Sequence, residues 1–403
     1  MLVKSHRNTI GTRLHGTRSS VPGISRPRAV RVHASGIEAL VASALFPPAS
    51  PAAMTTALQF TPLVALTGGA VLGVSAVTKY VVTGRILGIS GTLKGWLSGD
   101  WKSWRTAFTA GLLGGAFIAG SITPAAFDVL PASFTVARAA LGGLLVGLGA
   151  AMGNGCTSGH GICGNARLSP RSFVFTLAFM VAGAAAATLT GTAQALGIAA
   201  KAAPLVWWPN DTVFHQGMLL LATSVLASAG VGALARGAEA PHKKAVALLA
   251  ELTTGALFAF GLTYTGMVRP TKVAAFLSPT FPAFDATLMF VMGGALLVAL
   301  PGFQWVKRAA SAPRAPLAGD TFAWPSATDI DAKLVAGGVL FGAGWGISGM
   351  CPGPGVVALA ASLSPPPQII AYCAAMMAGF AIELGAAGKL RLGSGADKKP
   401  KPA

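Results

Sequence analysis

Nine times along its 403 residues the chain runs apolar for long enough to cross a bilayer: roughly 57–80, 105–122, 134–152, 171–196, 212–235, 244–264, 285–305, 332–347 and 367–388. Repetition on that scale leaves few folds open. Only 10% of the residues are charged, against roughly 25% in an ordinary soluble domain. The expectation is an all-α polytopic membrane protein of about nine transmembrane helices. Small-residue faces such as ALTGGAVLG and AGLLGGAFIAG, in a chain with 52 glycines, suit helices that approach one another closely.

The net charge of +18 raises nucleic acid as a partner, so its distribution decides the matter. Lys4, Arg7, Arg13, Arg18, Arg26, Arg28 and Arg31 supply seven positive charges before Glu38, and the tail from Lys389 onward adds a net four, leaving +7 for the body. No basic stripe interleaved with aromatics remains there, and nucleic acid is excluded as the expected partner. Residues 1–34 are rich in Arg, Ser and His, lack acids and end near VRVHAS, which resembles an organellar transit peptide. A disordered basic tail on a bacterial protein is the alternative. The expected location is the chloroplast inner envelope, with another organellar membrane or the plasma membrane as alternatives.

Basic residues alternate along the connections. Those after the first, third, fifth and seventh spans carry Lys94, Lys102 and Arg105; Arg167 and Arg171; Arg236, Lys243 and Lys244; and Lys307, Arg308 and Arg314. The other connections hold only Lys201, Arg269 and Lys272. By the positive-inside rule the first set faces the cytosol-like side, and the basic tail 389–403 falls with it. Four short Gly-rich segments recur on this frame: GRILGISG at 84–91, GNGCTSG at 153–159, FGLTYTGMVRP at 260–270 and GWGISGMCPGP at 344–354. The first two follow spans one and three, the last two spans six and eight. With span five as the odd one out, the second half is inverted. Four short re-entrant or broken helices are then expected to meet from opposite faces. Irregular backbone at that depth is tolerable only where protein or a polar cavity satisfies it.

Helix N-termini inside the membrane would offer unpaired N–H groups to an anion without any Lys or Arg. Gly lets the backbone turn at GCTSG, and Pro352 and Pro354 fit a helix start after Cys351. Glu251, Asp285 and Glu383 each stand alone in the apolar runs, so no acidic pair marks a cation path. Cys156 and Cys351 sit at corresponding positions beside Ser-Gly steps, and a thiol is a weak donor and a soft acceptor suited to a sulfur-bearing solute. Cys373, within IAYCAAMM, reads as a small buried hydrophobe, and Cys163 as intermediate. Ser90, Ser158, Thr265 and Ser348 recur at the motif cores, their hydroxyls free either to meet an anion or to bond carbonyls of their own helices. His160 is either a polar loop residue or a donor to substrate. Cys156, His160 and Cys163 also have soft-metal ligand types, but three ligands over eight residues without a second cluster make a weak signal. No metal, cofactor or catalytic residue is expected, and the chain is read as a non-enzyme.

GNGCTSGHGICGNARLSPRS and FGAGWGISGMCPGPG resemble the YeeE/YedE sulfur-transport family, and GRILGISGTLKG, GLTYTGMVRPTKVAAFL and FVMGGALLV extend the resemblance over about 65–388. The resemblance implies an inverted-repeat, hourglass-shaped membrane protein that takes up thiosulfate or a related sulfur anion. Its halves are fused here: 57–197 as first repeat, 198–243 as linker and inverting helix, 244–388 as second repeat. It further implies that Cys156 and Cys351 relay the substrate through thiol hydrogen bonds to its terminal sulfur. The other residues expected to bind or pass the solute are Ser90, Ser158, His160, Cys163, Thr265, Ser348, Gly349 and Met350. Where that family has a third cysteine, this sequence has Ser90. A soluble sulfur-acceptor protein or a second copy of the chain is a candidate partner. A membrane sulfur-transferase subunit with a persulfide on Cys156, or a metal- or selenium-related permease, stays open as an alternative.

Overall fold

The structure, a computed structural model, describes residues 58–308, 315–325 and 327–391. Residues 1–34, expected to be a transit-like presequence, and the tail beyond Arg391 lie outside the described residues. A long helix forms at each of the nine apolar segments: α1 (Pro62–Thr83), α3 (Ser103–Ile122), α4 (Val136–Met152), α6 (Pro170–Leu189), α8 (Asp211–Gly237), α9 (Ala240–Tyr264), α11 (Thr287–Arg308), α12 (Ala332–Ser348) and α14 (Pro367–Ala386). Between them run α2 (Ile89–Leu97), the π-helical α5 (Thr157–Gly164), α7 (Thr192–Ala195), α10 (Pro270–Phe276) and α13 (Pro352–Ala360). Among the described residues, seven helical stretches are long and apolar enough to cross a membrane, α12 and α13 together forming one of them. The number is eight if α4 and α5, bent by 48° at their break, count as a span. The chain is an all-α polytopic membrane protein. The expected second span is present as α3 but falls outside that set, because Ser103, Arg105 and a run of Gly and Thr dilute its apolar content.

Local chemistry explains where the long helices begin and stop. Thr135, Ser169, Asn210 and Asp331 each cap a helix by accepting from a first-turn amide, that of Arg138, Ser172, Val213 and Leu334 respectively. α1 ends at Gly84 (φ 70°) and α12 at Gly349 (φ 68°), left-handed turns that release the chain into the broken segments. Asn154 (φ 60°) does the same after α4, and its side chain accepts from Lys94 Nζ at 2.5 Å, tying that break to α2.

The packing is reciprocal. α1 lies against α11 and α3 against α9; α4 lies against α14 and α6 against α12. Counting α1 with α9, α3 with α11, α4 with α12 and α6 with α14, each of these contacts has its mate. The two remaining large contacts, α1 with α9 and α4 with α12, pair each helix with its own counterpart. The broken segments follow suit, α5 resting on α6 and α11, α13 on α14 and α3. Helix α8 stands outside this scheme, packing on α1 and α9 with Leu219, Leu226 and Leu234 exposed, as a lipid-facing helix requires.

Glycine sets the spacing. A Cβ on Gly111 would lie 1.9 Å from the Leu252 carbonyl oxygen, and one on Gly255 2.2 Å from that of Phe108, so α3 and α9 meet backbone to backbone. Alanine at Gly111 is therefore expected to cost about 1–3 kcal/mol, read as a lower thermal unfolding temperature in detergent. Gly114→Ala, one turn away where nothing lies within 4 Å, is expected to leave that temperature unchanged or raise it.

Candidate functional site

Three broken helices start at one point. Cys156, the N-cap of α5, is buried with its Sγ 3.3 Å from Ser158 Oγ. Ser158 Oγ also accepts from the amide of Ile89, the first residue of α2, at 3.4 Å. Thr157 donates its hydroxyl to Sγ of Cys351, the N-cap of α13, at 3.4 Å. Because Ser158 Oγ is engaged as an acceptor by Ile89, its own proton is available to Cys156. Both sulfurs can then accept from hydroxyls, and each S–H proton stays free for another acceptor.

A cavity of about 300 Å³ opens at this point. Ile89, Thr157, Ser158, Cys351, Gly353 and Pro354 line it from the three helix starts, and Met267 and Phe276 bring the flanks of α10 to it. The rest of its wall is mostly apolar side chains, including Phe258, Met292 and Trp345, with Thr176 of α6 the one further hydroxyl and no charged residue among the lining.

Of the residues singled out in the sequence, Ser158 and Cys351 line the cavity and Cys156 stands behind Ser158. The others are buried outside its lining, and all the polar ones but Ser90 are held in hydrogen bonds of their own. His160 Nε2 faces the Gly153 carbonyl at 3.1 Å and Nδ1 the Ser172 hydroxyl at 2.9 Å, so the ring is fully engaged, as a neutral tautomer donating from Nε2. It packs 4.4 Å from the Phe175 ring. Two glycines of the motif make room for this pair: a Cβ on Gly155 would lie 2.5 Å from His160 Cδ2, and one on Gly164 2.2 Å from Oγ of Ser172, the ring's partner. Cys163 Sγ reaches the Leu87 carbonyl at 3.5 Å, Thr265 Oγ1 that of Leu262 at 3.0 Å, and Ser348 Oγ that of Gly344 at 2.7 Å. Ser348 also accepts from the Met350 amide at 3.3 Å, shaping the Gly349 turn, and the Met350 carbonyl accepts from Tyr372 Oη at 2.9 Å. Ser90 is buried beside Ile89, its hydroxyl without a partner among the described residues. No three His, Cys, Asp or Glu gather as a metal site among the described residues.

Each of the three acids in the apolar runs meets a base. Glu251 is paired with Lys79 and lies 3.2 Å from Arg85 Nη1; Asp285 lies 3.9 Å from Lys272 Nζ; Glu383 lies 2.6 Å from Lys333 Nζ. Burial requires this, since an unpaired carboxylate inside an apolar protein costs far more than a paired one. Arg138, also buried, donates Nε to the Ile347 carbonyl at 2.9 Å and one terminal nitrogen to Thr190 O, Thr190 Oγ1 and Thr192 Oγ1. It thus holds the carboxyl ends of α12 and α6, where a cation is favoured. Sequence reasoning passed over Arg138, Lys79, Thr157 and Tyr372. The hydroxyl of Thr157, between Cys156 and Ser158, was the one signal within the motif itself.

The fold and cavity define a class: a polytopic helical membrane protein with a buried, thiol-bearing chamber at the meeting of broken helices. Residues 29–186 match the family described as sulphur transport, and residues 246–386 match a family of unknown function, DUF6691. Two proteins of Xylella fastidiosa strain 9a5c, each described as a probable transporter, are 39% and 45% identical to this chain over 131 residues. That stretch is 32% of this chain and 85% and 93% of theirs, so each relative is well under half as long. A protein of strain Temecula1 with the same description is 46% identical over 131 residues, 32% of this chain and 93% of its own. The chain belongs to the sulphur transport family.

Tyr372 closes the back of the Cys351 turn. Tyr372→Phe is expected to cost about 1 kcal/mol of stability and to speed maleimide labelling of Cys351 in the folded protein, measured by mass spectrometry of the tryptic peptide.

Proposed function

We propose that this protein is a membrane transporter that carries thiosulfate or a closely related sulfur anion through the chamber, with Cys156 and Cys351 as the residues that receive it. The convergence of these two thiols, 195 positions apart in the chain, on the start of three broken helices carries the proposal. An anion there needs compensation without a counter-cation, because an ion at the bilayer centre costs about 3 kcal/mol even on the gentlest scales. Each helix start offers about 0.5–1 kcal/mol, and each charge-assisted hydrogen bond about 1.5–3 kcal/mol. Several converging donors offset the cost where one would not.

The reciprocal packing supports an inverted repeat, 57–197 against 244–388, with α8 supplying the odd crossing that turns the second set over. Related proteins of under half this length are in keeping with two such units in one chain. In this arrangement the anion passes from one mouth to the chamber, is held by the S–H groups of Cys351 and Cys156 at its terminal sulfur, and leaves on the basic side. Cys163, bonded to Leu87 on the outgoing α2 side, is the next thiol along that route. The Arg-rich, acid-free residues 1–34 are proposed to direct the chain to an organellar envelope.

Cys156→Ala and Cys351→Ala are each expected to abolish growth on thiosulfate in a cell that lacks its own uptake, and to abolish uptake of the labelled anion into proteoliposomes. Cys373→Ala, whose sulfur packs against Gly355 away from the cavity wall, is expected to transport normally. Undiminished uptake by the first two variants would take the thiols out of the mechanism.

A further inference from the structure

The chamber that receives the anion is built from the wrong materials for a strongly hydrated one. No charged side chain lines it. Its polar side chains are Thr157, Ser158, Thr176, Cys351 and the indole N–H of Trp345, which has no partner among the described residues, and two of the hydroxyls are committed to neighbouring sulfur atoms. Against them stand aromatic faces and four thioethers: Met180, Met267 and Met292, all half-buried, and Met289, 61% exposed at the edge. Met292 lies on the broken turn itself. Its methyl carbon is 3.0 Å, and its sulfur 3.9 Å, from where a Cβ on Gly161 would sit.

These materials act together. A site dense in side-chain hydrogen-bond donors replaces a hydration shell and holds sulfate or phosphate; this one has few, so it favours an ion with at least one soft, weakly hydrated end. Thioether and thiol sulfur and aromatic rings are polarisable, and they interact best with a guest whose charge is spread over a large, soft atom. Serving as both a wall and a soft contact, methionine differs from leucine in the sulfur but hardly in volume.

Resting on the transport function proposed above, we infer that Met180, Met267 and Met292 determine specificity by softness. The chamber ranks anions by polarisability and weak hydration, so that thiocyanate and selenocyanate are ligands of the same site while sulfate is not. The sulfur or selenium end of such an ion takes the position beside Cys351 and Met292, and its size suits a cavity of this volume.

The test uses the full chain in proteoliposomes with labelled thiosulfate, and sodium thiocyanate, selenocyanate and sulfate as competitors at constant ionic strength. Thiocyanate and selenocyanate are expected to compete at concentrations about tenfold or more below sulfate. In the triple variant Met180→Leu, Met267→Leu, Met292→Leu that gap is expected to shrink by about tenfold, whatever rate of uptake the variant retains. Equal competition by sulfate in the natural chain would overturn the inference, as would an unchanged ranking in the triple variant. Met292→Leu alone serves if the triple variant is not recovered folded, with the same direction of change. Calorimetric titration of the purified chain with thiocyanate and with sulfate gives the ranking without transport. Preferential thiocyanate binding in a chain that moves no thiosulfate would therefore sink the transport function and keep the soft site, whereas uptake without preference would do the reverse.

Discussion

Hydrocarbon cannot pair a backbone amide, and that single fact governs how this chain is put together. Breaking a helix inside the membrane frees several N–H and C=O groups, each costing a few kcal/mol if left bare in apolar surroundings. The chain breaks its helices four times and must enclose every break. The enclosure comes from the long helices, and it holds because they meet at glycine. Gly143 and Gly147 bring α4 onto Tyr372 and Met376 of α14, and Gly342 and Gly346 bring α12 onto Phe179 and Gly183 of α6. With bulkier residues at those contacts the helices would stand further apart. The chamber would then widen into a water-filled gap, and the amides of α2, α5 and α13 would spend their polarity on solvent.

Reciprocal packing has a further consequence. Each of the two helix sets leaves the partner faces of its own long helices uncovered, and the other set covers them. Neither set alone encloses its two broken segments, because α5 needs α11 and α13 needs α3. The buried pair between Lys79 of α1 and Glu251 of α9, with Lys79 Nζ 3.7 Å from the centre of the Phe108 ring, joins the first helices of the two sets. A pair like this adds little net stability, yet it penalises a slipped register heavily, since sliding one helix strands both charges. It acts as a register pin on a surface that glycine otherwise makes smooth.

How much of this was legible in the chain depended on distance along it. All nine long helices lie where hydropathy placed them, because each is a local property of about twenty residues. The four breaks were legible too, in Gly-Ile-Ser-Gly, Gly-Cys-Thr-Ser-Gly, Tyr-Thr-Gly and Gly-Met-Cys-Pro-Gly-Pro, since Gly and Pro punctuate helices by local sterics. Partnerships were not. Glu251 looked solitary because its partner Lys79 is 172 positions away, and Lys79 itself sat unnoticed inside an apolar run. Arg138 likewise reaches Ile347 across 209 positions. The role of His160 was hidden for a different reason: its two bonds are local, to Gly153 and Ser172, but a ring nitrogen facing a carbonyl leaves no mark on composition. Gly155 was its shadow in the sequence, read as freedom to turn when it is room for a ring.

The placement of charge follows from the same accounting. The buried cations are satisfied close by: Lys79 is paired with Glu251, Arg138 is hydrogen-bonded to carbonyls and hydroxyls at two helix ends, and Lys272 meets Asp285 and Thr61. Had one of these cations lined the chamber, an anion would bind there tightly and leave slowly, and conduction requires a site that is favourable enough to enter yet weak enough to leave. Helix starts and thiols supply a shallower well. In the transport we propose, the polar backbone that the membrane forces the protein to enclose is the means of attracting a negative solute, and a chamber lined by no fixed counter-charge is the means of letting the solute go.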